Sequence, residues 1–302
     1  MNVIETAGLG KRYRRTWALR GCSLAIPAGR TAALVGPNGA GKTTLLHTLV
    51  GLTSPTTGRA TVLGGLPAGS LEALQRVAFV AQDAPLYPHL PVADMVHLAR
   101  NLNPRWDESQ VSGRLEQLRV PPGRKVGRLS GGQQAQLALT LAVARRPELL
   151  ILDEPVARLD PLARHDFFGS LMAAVAEDEV SILLSSHVVA ELERVADYLI
   201  LLSSGQVQLA GDVADLLGSH RILTGPARDA GDIAERLPVV HAKHAATQSH
   251  LLVRFGPQAT AAPPGWQSHA VPLEELILAY LREPEACALP GPAAAASTEV
   301  TA

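Results

Sequence analysis

Gly36-Pro37-Asn38-Gly39-Ala40-Gly41-Lys42-Thr43 is the stretch of this sequence on which the fold turns. It has the form G-x-x-x-x-G-K-[ST], and its neighbours supply the context that form requires. On its amino side Thr31–Val35 is a short apolar run, read as a buried strand that ends at Gly36. On its carboxyl side residues 42–52 read as a helix, with Leu45, Leu46 and Leu49 on one side and Gly51 near the end. Gly36, Gly39 and Gly41 let the backbone curl without a Cβ clash, so that the N–H groups of the loop point inward. The helix that follows aims its positive end at the same point. Lys42 adds a full charge suited to the β- and γ-phosphates of a nucleotide, and the Thr43 hydroxyl suits Mg2+. The expected cradle runs from Gly36 through Pro37, Asn38, Gly39, Ala40, Gly41, Lys42 and Thr43 to Thr44.

Further along, Leu149–Asp153 is an apolar run that ends in adjacent acids, Asp153 and Glu154. Two charges at the end of a buried strand are costly unless a cation neutralises them, and a magnesium–nucleotide complex would. Neighbouring strand residues face opposite ways, so the two acids are given different tasks. Asp153 is assigned to Mg2+ and Glu154 to the attacking water, as general base or orienter. Between these elements lies Leu129-Ser130-Gly131-Gly132-Gln133, ahead of an apolar helix over 137–144. Ser130 with Gln133 fits a capping box, which makes a second glycine-opened helix start suited to an anion. One nucleotide site needs only one such cradle, so the second makes sense if it closes on a nucleotide held by another subunit.

The rest of the pattern is α/β. Residues 3–26 alternate as two antiparallel strands with a turn near 11–15, and 76–81 and 181–185 read as strands. Tyr198–Ser203 and 206–210 flank Ser204-Gly205 as a hairpin. Helical patterning over 91–128 is broken by Pro104, Pro121 and Pro122. Strands alternating with helices imply a mainly parallel, doubly wound sheet, whose ligands sit beyond the carboxyl ends of the strands. Gly36, Glu154 and His187 all follow such strands. From about 219 the character changes to a strand, a helix and a strand (221–224, 232–237, 251–255), then a short amphipathic helix over 273–281. A Pro- and Ala-rich tail over 284–302 is expected to be disordered.

Composition narrows the function. The chain has 302 residues, of which 47% are hydrophobic and 18% charged, enough apolar material for a large core. A formal net charge of −1 argues against a general electrostatic grip on nucleic acid. Cys22 and Cys287 stand far apart and read as unpaired thiols of a reducing compartment, and the ten histidines lack zinc-site spacing. The start has no apolar core of a secretory signal, and no apolar stretch approaches the ~20 residues that span a bilayer. The chain is therefore not expected to cross a membrane alone.

GPNGAGKT, LSGGQ and LLILDEP, in that order, resemble the nucleotide-binding subunits of ABC transporters over about residues 1–217. The resemblance implies a P-loop NTPase (RecA-like) core with an antiparallel β subdomain and a helical subdomain over about 83–142. A small C-terminal α/β appendage (218–283) and the tail follow. It also implies further site residues. Tyr13, with Trp17 as the alternative, looks like the aromatic that stacks on adenine. Gln82 looks like the glutamine that meets Mg2+ and senses the γ-phosphate, Asp160 like the residue that touches the opposite subunit, and His187 like the switch histidine on the γ-phosphate. By this resemblance two ATP-binding subunits, identical or not, close head to tail. Each ATP lies between the loop of one and Ser130, Gly131, Gly132 and Gln133 of the other. A membrane-spanning permease is the expected partner, at the cytoplasmic face of the membrane, meeting the chain near residues 82–95, where Pro85, Leu86, Tyr87 and Pro88 form an apolar segment whose alternative reading is buried core. No nucleic-acid partner is expected. The end of the chain, with Leu273-Glu-Glu-Leu-Ile-Leu-Ala-Tyr280, resembles bacterial ABC-2-type export ATPases, which points to export. Arg158 and Gln136 depart from the family pattern without removing a phosphate or metal ligand. The alternative, a soluble ABC ATPase acting on nucleic acid or ribosomes, usually needs a long coiled-coil insert or a second cassette, and this sequence has neither.

Overall fold

The computed structural model describes residues 1–83, 86–176, 180–255 and 262–288. The chain divides into two compact units, Met1–Val207 and the residues from Gln208 onward, so the division falls inside the hairpin that the sequence places before residue 217.

The first unit opens with β1 (Asn2–Tyr13) and β2 (Thr16–Pro27), an antiparallel pair turning at Arg14-Arg15. Then come β3 (Thr31–Val35), α1 (Lys42–Leu49), β4 (Thr57–Val62), β5 (Leu66–Pro67), α2 (Leu71–Arg76) and β6 (Val77–Val80). The helical part is α3 (Val92–Leu102), α4 (Glu108–Gln117) and α5 (Gly131–Val143). After it run β7 (Leu149–Asp153), α6 (Pro161–Ala176), β8 (Ser181–Ser186), α7 (Val189–Leu192), β9 (Tyr198–Ser203) and β10 (Gln206–Asp212). One sheet has the order β2-β1-β4-β5 and is antiparallel; the other has the order β10-β9-β3-β8-β7-β6. In the second sheet β9, β3, β8, β7 and β6 run parallel, which is the doubly wound core expected from the sequence. The strands of that core are buried on both faces, so they read as continuous apolar runs rather than alternating ones.

Leu45, Leu46 and Leu49 of α1 are buried with Ile4, Leu9, Leu34 and Ile151 in a core shared by both sheets. Truncating such a leucine to alanine typically costs about 2–5 kcal/mol. The helix stops at Leu49, three residues earlier than the sequence suggests, because Gly51 takes a left-handed φ of 75° and its N–H turns back to Thr48 O. A Cβ on Gly51 would stand 2.3 Å from the Cα of Gly69, so no other residue fits there. The helical part has its own core of Val92, Met95, Val111, Val126, Leu137 and Leu141, with Leu86 packed at its side. Pro85 lies outside the described residues, while Tyr87 is exposed.

The second unit contains α8 (Val213–Gly218), β11 (His220–Pro226), α9 (Ala230–Arg236), β12 (Val239–His244), β13 (Gln248–Arg254), β14 (Gln267–Ala270) and α10 (Leu273–Arg282). Its sheet has the order β12-β13-β11-β14 with every pair antiparallel, a split β-α-β arrangement. The expected strand, helix and strand are present, and two edge strands are added to them. Pro284–Ala288, which the sequence assigns to a disordered tail, form a 3-10 turn anchored by the buried Ala286; residues 289–302 lie outside the described part.

The buried side of α10 holds Tyr280, whose hydroxyl donates to Nε2 of the fully buried His220 at 2.9 Å. The other ring nitrogen, Nδ1–H, donates to Leu216 O at 2.7 Å, so the neutral imidazole has both nitrogens satisfied. Burial, with Arg254 nearby, lowers the His220 pKa to about 4. An unfolded chain binds that proton from about pH 6.5 downward and the folded chain does not, so stability falls as pH drops through this window. The expected loss between pH 6.5 and 4 is about 3 kcal/mol. Urea unfolding of wild type and His220→Gln across this range checks it: the variant should lose most of the pH slope, and equal slopes would remove His220 as its source.

Candidate functional site

The register of the parallel sheet decides what meets what. Val35 pairs with Ser186 and Asp153 with Ser185, so the carboxyl ends of β3, β7 and β8 finish side by side. The loop after β3, the acids after β7 and His187 after β8 therefore leave the sheet at one place.

The loop is tightly tied. A Cβ on Gly36 would lie 2.1 Å from Leu202 O, and one on Gly41 would lie 2.5 Å from Ala18 O. Gly41, at φ 105°, is the N-cap of α1, and no side chain caps this helix. Gly205 N–H donates to Ala40 O at 3.0 Å, which fastens the loop to the turn between β9 and β10. Around Gly39, at φ 79°, no atom stands within 4 Å of a Cβ position, so this side of the loop is open. The start of α1, with Thr43 exposed and Thr44 half-buried behind it, thus presents uncapped N–H groups at its positive end.

Lys42 is only 5% exposed. A buried ammonium needs partners, and Lys42 Nζ has three: Gly36 O at 2.8 Å, Pro37 O at 3.3 Å and Glu154 Oε1 at 3.2 Å. The second oxygen of Glu154 accepts from His187 Nδ1 at 3.1 Å. One carboxylate thus joins the phosphate-loop lysine to the histidine after β8. Glu154 reaches both by adopting a left-handed φ of 44°, a conformation that costs a non-glycine residue about 1–3 kcal/mol and persists where the surroundings impose it. It has therefore left the strand geometry from which the sequence separates the two acids, yet the separation holds. Asp153 turns inward, 1% exposed, with one oxygen accepting from Ser185 Oγ at 2.6 Å.

Among the described residues no cationic side chain pairs with Asp153, and no cluster of three or more His, Cys, Asp or Glu side chains could hold a metal alone. A buried carboxylate with one oxygen left unpaired by any cation suits a hard cation that takes its remaining ligands from water and phosphate, as Mg2+ does. Gln82 stands exposed in the turn after β6, and among the described residues no hydrogen bond joins it to this group.

The second helix start is built as the sequence implies. Ser130 N–H donates to Gln133 Oε1 at 3.1 Å and Gln133 N–H donates to Ser130 Oγ at 3.2 Å, closing the capping box on α5. A Cβ on Gly132 would come 3.1 Å from Ala163 Cβ, which packs this helix start against the first turn of α6. Asp160 caps α6, its Oδ1 accepting from Ala163 N–H at 2.9 Å, with Pro161 as the first helical residue. Ser130, Gly131, Gly132, Gln133 and Asp160 thus form a second group, and among the described residues no hydrogen bond or ion pair joins it to the Lys42 group.

Tyr13, at the exposed end of β1, holds the Lys11 ammonium 5.2 Å from its ring centroid, and Trp17 carries the Arg12 guanidinium in the same way at 5.6 Å. The two departures from the family pattern have local partners. Arg158 pairs with Asp83 at 2.7 Å on the surface, and Gln136 accepts from Arg114 at 3.0 Å. Sequence reasoning missed Ser185, which sits inside an apolar run; its signal was its place two residues before His187, at the end of a strand next to β7.

The family model for ABC transporter matches residues 19–157. An uncharacterized ABC transporter ATP-binding protein of Nostoc is 32% identical over 239 residues, which cover 72% of this chain and 69% of that relative. The Nod factor export ATP-binding protein I of Rhizobium johnstonii is 35% identical, with 68% and 67% covered. The Fe(3+) ions import ATP-binding protein FbpC of Pseudomonas fluorescens is 34% identical, with 72% and 63% covered. A solved structure of an ATP-binding subunit of an ABC transporter superposes with a TM-score of 0.63 at 26% identity, over 71% of this chain and 91% of that one. With the phosphate loop, the paired acids and the capped LSGGQ helix in place, these likenesses settle the family: the chain belongs to the ATP-binding proteins of ABC transporters.

Proposed function

We propose that this chain hydrolyses ATP to ADP and phosphate and thereby drives a separate membrane-spanning permease, from the cytoplasmic face of the membrane and in the export direction. The observation that carries the reading is the bridge from Lys42 through Glu154 to His187 at the mouth of an uncapped helix start. Among the described residues no helix is long and apolar enough to cross a membrane, so the transport path would belong to another chain. Export rests on the resemblance of the chain's end to ABC-2-type ATPases and on the Nod factor relative; the iron-import relative marks direction as the part to be tested directly.

In this reading the loop from Gly36 to Thr44 binds the phosphates, and Tyr13 stacks on the adenine. Thr43, Asp153 and Gln82 would hold Mg2+, which when bound neutralises phosphate charge and polarises the bond to be broken. An arriving γ-phosphate competes with Glu154 for the Lys42 ammonium. Once Lys42 turns to the phosphate, the freed oxygen of Glu154 can orient a water and take its proton. His187, held by the other oxygen, presents its ring toward the same phosphate. Ser130, Gly131, Gly132 and Gln133 of a second copy or a related subunit, with Asp160 at the seam, complete the cradle from the other side. ATP thereby favours the closed pair, and its hydrolysis shifts the equilibrium to the open one.

The test is purification of the chain with its membrane partners, followed by reconstitution into vesicles. ATP-dependent phosphate release should require the permease-bearing membrane fraction for full rate, with cargo moving away from the face that carries this subunit. Recovery with ribosomes or DNA, and no membrane protein, would replace the reading with the soluble one; inward movement would reverse the direction alone.

A further inference from the structure

Ser185 is completely buried at the end of β8, and its hydroxyl has two partners that matter to the site. It donates to Asp153 Oδ1 at 2.6 Å and accepts the backbone N–H of Glu154 at 2.9 Å. We infer that Ser185 is the positioning residue of the hydrolytic site, one hydroxyl that orients the metal-binding carboxylate and holds the backbone turn that aims the catalytic one. The inference rests on the roles proposed for Asp153 and Glu154.

A hydroxyl is a donor and an acceptor at once, and both capacities are used here. Its proton fixes one Asp153 oxygen and leaves the other to a cation. Its lone pair receives the Glu154 N–H at the residue whose φ is 44°. Without that acceptor the N–H would be left partnerless just inside the surface, and the chain would gain by relaxing out of the left-handed conformation. The Glu154 carboxylate would then no longer point between Lys42 and His187. The strand register supports the assignment. Asp153 and Ser185 are paired residues of adjacent parallel strands, so the short side chain reaches across without bending either strand. Ser186 does not share the task, since its hydroxyl accepts from Val188 N–H at 3.0 Å and so shapes the turn that carries His187.

Groups that orient metal ligands from behind typically cost 10–100-fold in metal affinity or activity when removed. Ser185→Ala is expected to lower kcat by about that range, with little change in the KM for ATP. The readout independent of turnover is binding of a fluorescent ATP analogue titrated with Mg2+. The alanine variant should need about tenfold more Mg2+ for half-maximal effect, while its binding in EDTA, which uses the loop alone, stays as in wild type. Ser185→Thr, which keeps the hydroxyl, should recover both to within about threefold. A folded alanine variant with wild-type kcat and Mg2+ dependence, or a threonine variant as impaired as alanine, overturns the inference. Should the alanine variant fail to fold, Ser185→Cys takes its place. Its thiol fills the site but bonds weakly, so wild-type Mg2+ dependence in that variant is equally fatal. Glu154→Gln and Asp153→Asn are measured alongside. If they keep turnover and Mg2+ response, the roles of the acids fail; if they lose them and Ser185→Ala does not, the inference alone fails.

Discussion

Replacing Glu154 with Gln is expected to lower ATP turnover by about 10²–10⁴-fold and to leave ATP binding intact or tighter. The amide keeps the size of the carboxylate but cannot take a proton from water. It also removes the charge that pairs with Lys42 at 3.2 Å, so the ammonium is released toward an incoming phosphate without competition. Under the proposed function the same change should lengthen the life of an ATP-bound pair of subunits. Phosphate release and equilibrium binding of a fluorescent nucleotide, measured on one preparation, separate the two effects. A variant that hydrolyses ATP at the wild-type rate would take the water-activating role away from Glu154.

Replacing Lys42 with Ala acts at the other end of the same ion pair and should show mainly in binding. The ammonium is nearly buried and faces the carbonyls of the loop it serves, so its loss removes the one full positive charge of the cradle. Removing a charge-stabilising donor from such a site costs about 10²–10³-fold, here expected in kcat/KM with most of it in KM. The fold should survive, because alanine is the best helix former and the loop keeps its ties at Gly36, Gly41 and Ala40. Among the described residues the Glu154 carboxylate would then keep His187 alone as a side-chain partner. Unchanged ATP affinity in this variant would show that Lys42 does not grip the phosphates.

Much of the core was legible because its signals are local and redundant. The phosphate loop has glycines where the backbone turns sharply, a lysine at the helix start and an apolar strand before it, and each is visible without tertiary information. The same holds for the Ser130–Gln133 box, which needs only two side chains and one turn of helix. The second unit was half legible. Residues 221–224 and 251–255 are apolar-rich runs that bury Leu223, Leu251, Leu252 and Val253, but Gln267–Ala270 is exposed throughout and pairs only because β11 offers it an edge. No periodicity can announce such a strand. Helix α6 carries no helical stripe in the sequence, because apolar and small residues occur all around it. The bridge between Lys42 and His187 depends on three strand ends being in register. The residues of that bridge could be named from sequence, whereas their joining through Glu154, and the part of Ser185, required the sheet.

The capping box on α5 has a consequence for selectivity. Ser130 Oγ spends a lone pair on Gln133 N–H, and Gln133 Oε1 spends one on Ser130 N–H. Each oxygen keeps a second lone pair, but hydrogens are the larger part of what remains: the serine O–H, the glutamine NH2 and the amides of Gly131 and Gly132. A rim weighted toward donors is suited to an oxyanion before one arrives and has little reorganising to do when it does. Part of that preference lies in the peptide amides of Gly131 and Gly132, and that part would outlast changes to the side chains around it.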